Sequence, residues 1–201
     1  MTMFIAPDGL ARCGWAGAAP EFLNYHDTEW GFPVADDRRL FEKISLESFQ
    51  SGLSWRTILA KRENFRHAFA GFDFHIVAGF DEAEVRRLLN DNGIIRHRGK
   101  IEAVINNACR AIELVDEANS LAAYFWNYEP VADEIASPQT VSMSSSSVAL
   151  SKDLKTRGWK FVGPTTVFAF MQATGLINDH ATDCFTRSLV SARRFSFTPP
   201  R

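Results

Sequence analysis

Long hydrophobic runs, excess charge of one sign and paired cysteines are all missing from this chain of 201 residues. No apolar stretch approaches the roughly 18 residues needed to cross a bilayer, so no membrane span is expected. The first dozen residues, M-T-M-F-I-A-P-D-G-L-A-R, lack the basic start and apolar run of a secretory leader. Cysteine is scarce and odd in number: Cys13, Cys109 and Cys184 make no disulfide framework. The expected setting is the reducing cytoplasm. Lys and Arg number 22 against 24 Asp and Glu, a net charge of −2. Any contact with nucleic acid must therefore come from a local patch, not a global field.

Alternating strand patterns are almost absent too, and helical periods fill the space. Ile101, Val104, Ile105, Ala108, Ile112 and Val115 recur at three- and four-residue steps over 99–116. Residues 36–50 open on the cap candidates Asp36 and Asp37, 54–70 on Ser54 and 81–90 on Asp81. Gly71, Gly93, Gly158 and Gly175 fall where helices should end in a left-handed stop. Pro164 is placed as the first residue of a buried helix. The serine-rich stretch 137–147 is the main loop and a candidate lobe boundary. These readings, with 46% hydrophobic residues and 17 phenylalanines to build a core, predict an all-α fold in a single domain over 1–201. Residues 1–11 and 185–201 read as flexible ends; in the tail, Arg193 and Arg194 alternatively offer charge for a DNA backbone, and disorder is preferred.

Several constellations could carry chemistry. His180 and Cys184, four apart, share one helical face, and Cys13 and His26 lie near the other end of the chain. Two cysteines and two histidines are the inventory of a closed tetrahedral zinc site, with no open position for water. Buried thiols beside structural histidines are the plainer alternative. Glu47 follows Leu40 and Ile44 at i, i+4, i+7, which turns a carboxylate inward, where it needs a partner or a pocket. Trp15, Tyr25, Trp30 and Trp55 sit beside glycine or turn residues, suited to a pocket rim, although tryptophan is more often core. The segment K-F-V-G-P-T-T, 160–166, feeds the N-terminus of a helix, a natural phosphate site, with Lys152, Lys155, Arg157 and Lys160 nearby. Arg96, Arg98 and Lys100 cluster in a second glycine-basic turn.

In order along the chain, R-C-G-W, Y-H-D-x-E-W-G, L-E-x-x-Q-x-G-L-S-W, K-R-E-N-F, G-I-I-R-H-R-G-K-I, F-V-G-x-T and N-D-H-x-x-x-C run from Arg12 to Cys184. This set resembles the DNA-3-methyladenine glycosylase I family of helix-hairpin-helix glycosylases. The resemblance implies two helical lobes around a cleft, with a structural zinc held by Cys13, His26, His180 and Cys184 that joins the N- and C-terminal regions. It implies that Glu47 and Tyr25 hydrogen-bond a flipped methylated base, that Trp55 stacks on it, and that Trp15 and Trp30 complete the pocket. Lys160, Gly163, Thr165 and Thr166 would anchor the DNA backbone. Phe22 stands where the family often has tyrosine, and Phe49 replaces a polar residue at an expected cleft wall. Asp179 lies where many helix-hairpin-helix relatives place an aspartate, and it is given no role.

The implied reaction is hydrolysis of the N-glycosidic bond of 3-methyladenine in alkylated double-stranded DNA, as one step of base-excision repair. With no lysine in an obvious nucleophile position, a monofunctional, monomeric enzyme without strand cleavage is expected. A non-catalytic, zinc-stapled lesion sensor and a glycosylase for other alkylated or oxidised bases are the competing readings.

Overall fold

The computed structural model describes residues 3–131 and 136–200. Helices dominate it. They are α1 (Pro20–Thr28), α2 (Asp37–Gln50), α3 (Trp55–Ala60), α4 (Arg62–Ala68), α5 (Phe74–Val77), α6 (Glu82–Asn90), α7 (Arg98–Ala118), α8 (Leu121–Trp126), α9 (Ser145–Thr156), α10 (Pro164–Ala173) and α11 (Phe185–Ser196). None of these is long and apolar enough to cross a membrane.

Local chemistry explains most of the helix starts. Asp36 caps α2 through the amide of Arg39 at 2.8 Å, and Asp81 caps α6 through Ala83 at 2.8 Å. Ser54 caps α3, His97 caps α7 through the amide of Lys100, and Ser144 and Ser147 close a reciprocal capping box at α9. The 54–70 expectation resolves into two helices. They break at Lys61, whose Nζ reaches across to the carbonyls of Asn92 and Gly93 at 3.1 Å.

Glycine marks some of the ends. Gly175 has φ +80° after α10, and a Cβ there would stand 2.6 Å from the backbone of Phe32 and Pro33, so the position admits only glycine. Gly93 departs from its expected role. Helix α6 already ends at Asn90, and Gly93 is not left-handed; a Cβ there would press on Asn64 and Asp91.

The apolar side chains form two clusters. The larger surrounds α2 and α7 and includes Phe41, Phe49, Phe65, Phe69 and Phe125. The smaller gathers Cys13, Tyr25, Trp30, Ala173, Ala181 and Cys184, with Trp15 and Trp55 against it, and so joins the two ends of the chain.

Both ends carry secondary structure where the sequence offers none. Strands β1 (Met3–Ile5) and β2 (Ala11–Cys13) pair antiparallel, Met3 opposite Cys13. The Arg12 guanidinium covers the Phe185 ring at 4.6 Å and pairs with Asp8 and Asp27. Helix α11 buries only Thr186 and Val190, too little apolar surface to stand out in the sequence. It is fixed through Arg187, which donates to the carbonyls of Asn178 and His180, and through Arg194, which pairs with Glu129 at 2.5 Å. Arg194 is thereby engaged inside the protein.

Candidate active site and metal centre

Between the two clusters lies a cavity of about 240 Å³ lined by Trp15, Phe22, Tyr25, Trp30, Glu47, Gln50, Trp55, Ala169 and Gln172. The wall from α1 and its neighbours is aromatic; the wall from α2 and α10 carries the carboxyl and two amides. The Tyr25 and Trp55 rings lie 5.3 Å apart and tilted by 45°, and Trp15 stands edge-on to Trp30 at 5.1 Å. This separation of aromatic faces from a polar edge suits a flat, polar-rimmed ring.

Glu47 projects from the buried face of α2, in phase with Leu40 and Ile44. It is 6% exposed, and no hydrogen bond reaches its carboxyl from any described residue. Burial raises its pKa to about 8, against the opposing pull of Lys43 one turn earlier. Lys43 is already engaged: its Nζ donates to Glu29 at 2.8 Å and sits 5.7 Å from the centre of the Tyr25 ring. Glu29 also takes Arg62 at 2.8 Å. Burial works to raise Glu29, but Lys43 and Arg62 hold it down at about 2. The cation next to Glu47 is therefore shared with a competing carboxylate, and Glu47 keeps its cost of burial. Burial, then the charges of Glu47 and Glu29, pushes the Tyr25 phenol well above its ordinary range. The Trp55 indole N–H is buried without a partner among the described residues.

A second cavity of about 330 Å³ shares Glu47, Gln50 and Ala169 with the first and continues along Ser51, Gly52, Leu53, Thr165 and Thr166. It ends at the start of α10. Gly163 supplies no side-chain cap there, and Pro164 has no N–H, so the amides of Thr165 and Thr166 lack intrahelical partners. The turn before them is held by its neighbours. Asn107 bonds both the amide and the carbonyl of Lys160 at 2.8 and 2.9 Å. Ser48 donates to the Phe161 carbonyl at 3.0 Å, and Ser151 to that of Val162 at 2.6 Å. A rigid helix N-terminus facing a cavity is a ready anion site.

The other basic turn is different. Arg98 pairs with Glu82 and Glu102, and buried Lys100 donates to the carbonyls of Phe49 and Ser51 at 2.9 and 2.6 Å. Arg157 is likewise spent on Glu117 and Asp153. Phe49 does not line the cavity; it is fully buried against Phe65 and Phe69. Gln50, Ser51, Gly52, the half-exposed Leu53, Ala169 and Gln172 are the lining residues that sequence reasoning missed.

Behind the aromatic wall, Cys13, His26, His180 and Cys184 converge with all four ligand atoms within 4.8 Å of one another. Four of the six edges are 3.2 Å from His26 Nε2 to His180 Nδ1, 3.4 Å from Cys184 Sγ to His26, 3.6 Å from Cys184 to His180, and 3.7 Å from Cys13 Sγ to His180. Each imidazole is oriented by its other nitrogen. His26 Nδ1 meets Asp27 at 2.7 Å, and His180 Nε2 meets the Trp30 carbonyl at 2.9 Å. Both inward nitrogens are thus left as lone pairs, the arrangement of metal-binding histidines. The group could hold a metal ion, and with all four positions filled by protein it leaves no vacancy for a reacting water.

The methyladenine glycosylase family model matches residues 15–187, a span that contains the cavity and three of the four clustered ligands. The chain belongs to the methyladenine glycosylase family. It is 46% identical over 179 residues to DNA-3-methyladenine glycosylase 1 of Escherichia coli K12, covering 87% of this chain and 96% of that protein. It is 41% identical to the DNA-3-methyladenine glycosylase of Haemophilus influenzae, over 86% of this chain and 96% of that one. A crystal structure of 3-methyladenine DNA glycosylase I superposes with a TM-score of 0.82 at 46% identity, covering 87% of this chain and 98% of that one. The Staphylococcus aureus enzyme, solved for its recognition of 3-methyladenine, gives a TM-score of 0.82 at 36% identity, over 88% and 96% of the two chains.

Proposed function

We propose that this methyladenine glycosylase hydrolyses the N-glycosidic bond of 3-methyladenine in alkylated double-stranded DNA, acting as a monomer in the cytoplasm and leaving the strand intact. The observation that carries the site assignment is Glu47: a buried carboxyl with no hydrogen bond from any described residue, set in an aromatic cavity that opens toward a helix N-terminus.

A base stacked in a duplex is out of reach, so the nucleotide must be turned out into a pocket, at a cost of a few kcal/mol. Methylation at N3 makes adenine a cation. Trp55 and Tyr25 offer it π-faces, and Glu47 offers a carboxyl that gains a partner only when the cation arrives. Neutral adenine can stack but gains no charge-dependent attraction from either, which is the basis for selecting damaged bases. Lys160, Gly163 and the amides of Thr165 and Thr166 would take the flanking phosphates.

The cationic base is already a good leaving group. The C1′–N9 bond breaks, its electron pair leaves with the base, and neutral 3-methyladenine is released. Water adds to C1′ and gives up its proton to a carboxylate or to solvent. Attraction to the cation in the ground state accelerates nothing by itself. Glu47 therefore has to serve the sugar as positive charge moves there, by direct attraction or by orienting the water.

Zinc suits the Cys13, His26, His180 and Cys184 set. A tetrahedral zinc with N at about 2.0–2.1 Å and S at about 2.3 Å has N···N and N···S edges of about 3.3–3.6 Å. The four edges of 3.2 to 3.7 Å fit, and the remaining two, from Cys13 to His26 and to Cys184, lie within 4.8 Å. Its contribution when bound is structural: it fastens the two chain ends behind Trp15 and Trp30, within a two-lobed helix-hairpin-helix arrangement.

Chromatography of bases released from methylated duplex DNA tests the reading. Free 3-methyladenine with uncut strands is expected. Binding without release would make the protein a lesion sensor, and release of other modified bases alone would reassign its substrate.

A further inference from the structure

Helix α10 presents Thr165, Ala169 and Gln172 to the two cavities, a stripe at helical spacing from the phosphate end to the base pocket. At its inner end the side chain of Gln172 is held in one orientation. Its Nε2 donates to Asp179 Oδ2 at 2.6 Å, and Asp179 Oδ1 accepts the backbone N–H of Gln139 at 2.8 Å. Gln139 in turn donates through its side-chain amide to the main-chain carbonyl of Asp179 at 3.1 Å, so Asp179 is held at its backbone as well as at its carboxyl. Asp179 does not line the base pocket. It borders a separate cavity with Phe168 and Ile177.

A carboxylate only accepts hydrogen bonds, so Gln172 has to turn its nitrogen to Asp179. Its oxygen accepts no hydrogen bond from a described residue and is the polar atom left for whatever fills the pocket. We propose that Gln172, positioned by Asp179, reads the 6-amino edge of the flipped base and sets the preference for alkylated adenine over alkylated guanine. This rests on the glycosylase reading of the cavity and adds a specificity determinant to it.

The aromatic walls and Glu47 cannot make that distinction alone. Purines methylated at N3 are flat and cationic whether derived from adenine or guanine, and both carry N–H groups for a carboxyl. They differ at position 6, where adenine donates and guanine accepts. A fixed carbonyl oxygen accepts from the first and repels the second, and an unmet acceptor in a closed pocket discriminates more strongly than one missing contact.

The test is release of 3-methyladenine and 3-methylguanine from the same methylated duplex, quantified together for the wild type, Gln172→Leu, Gln172→Met and Asp179→Asn. The Gln172 variants should lower the adenine-to-guanine release ratio about tenfold, the size of one hydrogen bond of about 1.4 kcal/mol. The fall should come from 3-methyladenine, with 3-methylguanine unchanged or increased. Asp179→Asn should move the ratio the same way, and added to Gln172→Leu it should move it no further, as expected of a residue acting through another. Thermal melts and zinc content identify folded protein, and the unbranched methionine variant carries the test where leucine does not fold. An unchanged ratio, or equal loss of both bases, overturns the inference alone. Absence of 3-methyladenine release by the wild type overturns the function beneath it as well.

Discussion

Trp30 ties the Cys13, His26, His180 and Cys184 cluster to the aromatic cavity. Its carbonyl accepts His180 Nε2–H at 2.9 Å while its indole meets the same imidazole edge-on at 4.6 Å and lines the cavity on its other side. A ligand of the cluster therefore sets the position of one pocket wall. Gly31, left-handed at φ +86°, gives His180 the room: a Cβ there would stand 3.0 Å from Nε2.

Loss of the clasp should cost stability first and activity through it. Cys184→Ala leaves Cys13 and two oriented histidines around a cluster one ligand short. Its Tm should fall by about 10 °C, on the order of 3–5 kcal/mol for a chain of this size, with zinc no longer stoichiometric. A chelator should lower the wild-type Tm and leave that of the variant unchanged. A variant that melts like the wild type, or wild-type protein without zinc by elemental analysis, contradicts a structural metal.

Glu47 should be costly to the fold and necessary to the reaction. Its folded pKa of about 8 lies above the ordinary glutamate value of 4.5, so the native state binds the proton more tightly than the unfolded chain. Stability contributed by this group is full below pH 4.5 and is lost as pH rises through 8. Glu47→Gln should therefore melt above the wild type at pH 9, by on the order of 1–3 kcal/mol, with the gap closing toward pH 5. Base release should drop at least a hundredfold, the lower end of a general acid–base contribution. A variant with wild-type release removes Glu47 from the mechanism. One with no pH-dependent gain in stability shows that its burial is relieved in solution.

The aromatic wall should act mainly on the bound base. Trp55→Ala removes a face worth about 1–3 kcal/mol against a nucleobase, so kcat/KM for methylated DNA should fall about tenfold to a hundredfold. Affinity for free 3-methyladenine should weaken in parallel. Trp55→Phe should recover most of both, because a π-face remains. If alanine and phenylalanine lose equally, the indole N–H, now without a partner, is the part that matters.

What the sequence made legible was local. Asp36, Ser54 and Asp81 start helices through bonds within a few residues, Pro164 starts one through its fixed φ, and all four stand where expected. Lys100 and Arg98 look as available in the sequence as Lys160, yet their partners lie 49 residues upstream at Ser51 and 16 upstream at Glu82. Phe49 belongs to the core because Phe65 and Phe69 come back to meet it on α4 and just after it. Gln172 sits in a helix apolar nearly all round, and only the fold shows Asp179 turning its amide. The four metal-binding candidates were legible as an inventory of ligand types, but their convergence depends on the β1–β2 pair and α11, which periodicity does not reveal.

Two glycines of α10 should respond in opposite ways to the same methyl group. Gly163 has φ −64°, and a Cβ there meets nothing within 4 Å, so Gly163→Ala should fold with a Tm near that of the wild type. Its methyl group would project from the N-cap of α10 into open space beside the proposed phosphate site. Affinity for DNA should weaken whatever the sequence or lesion, while binding of free 3-methyladenine is unchanged. Lys160→Ala should likewise leave base binding intact and reduce the salt slope of DNA binding by about 1. Gly175→Ala should instead fail to fold, since its Cβ would overlap the Phe32 and Pro33 backbone at 2.6 Å. Calorimetry with the free base and a salt titration with duplex DNA separate these effects. Full DNA affinity in Gly163→Ala would move the phosphate site away from the start of α10.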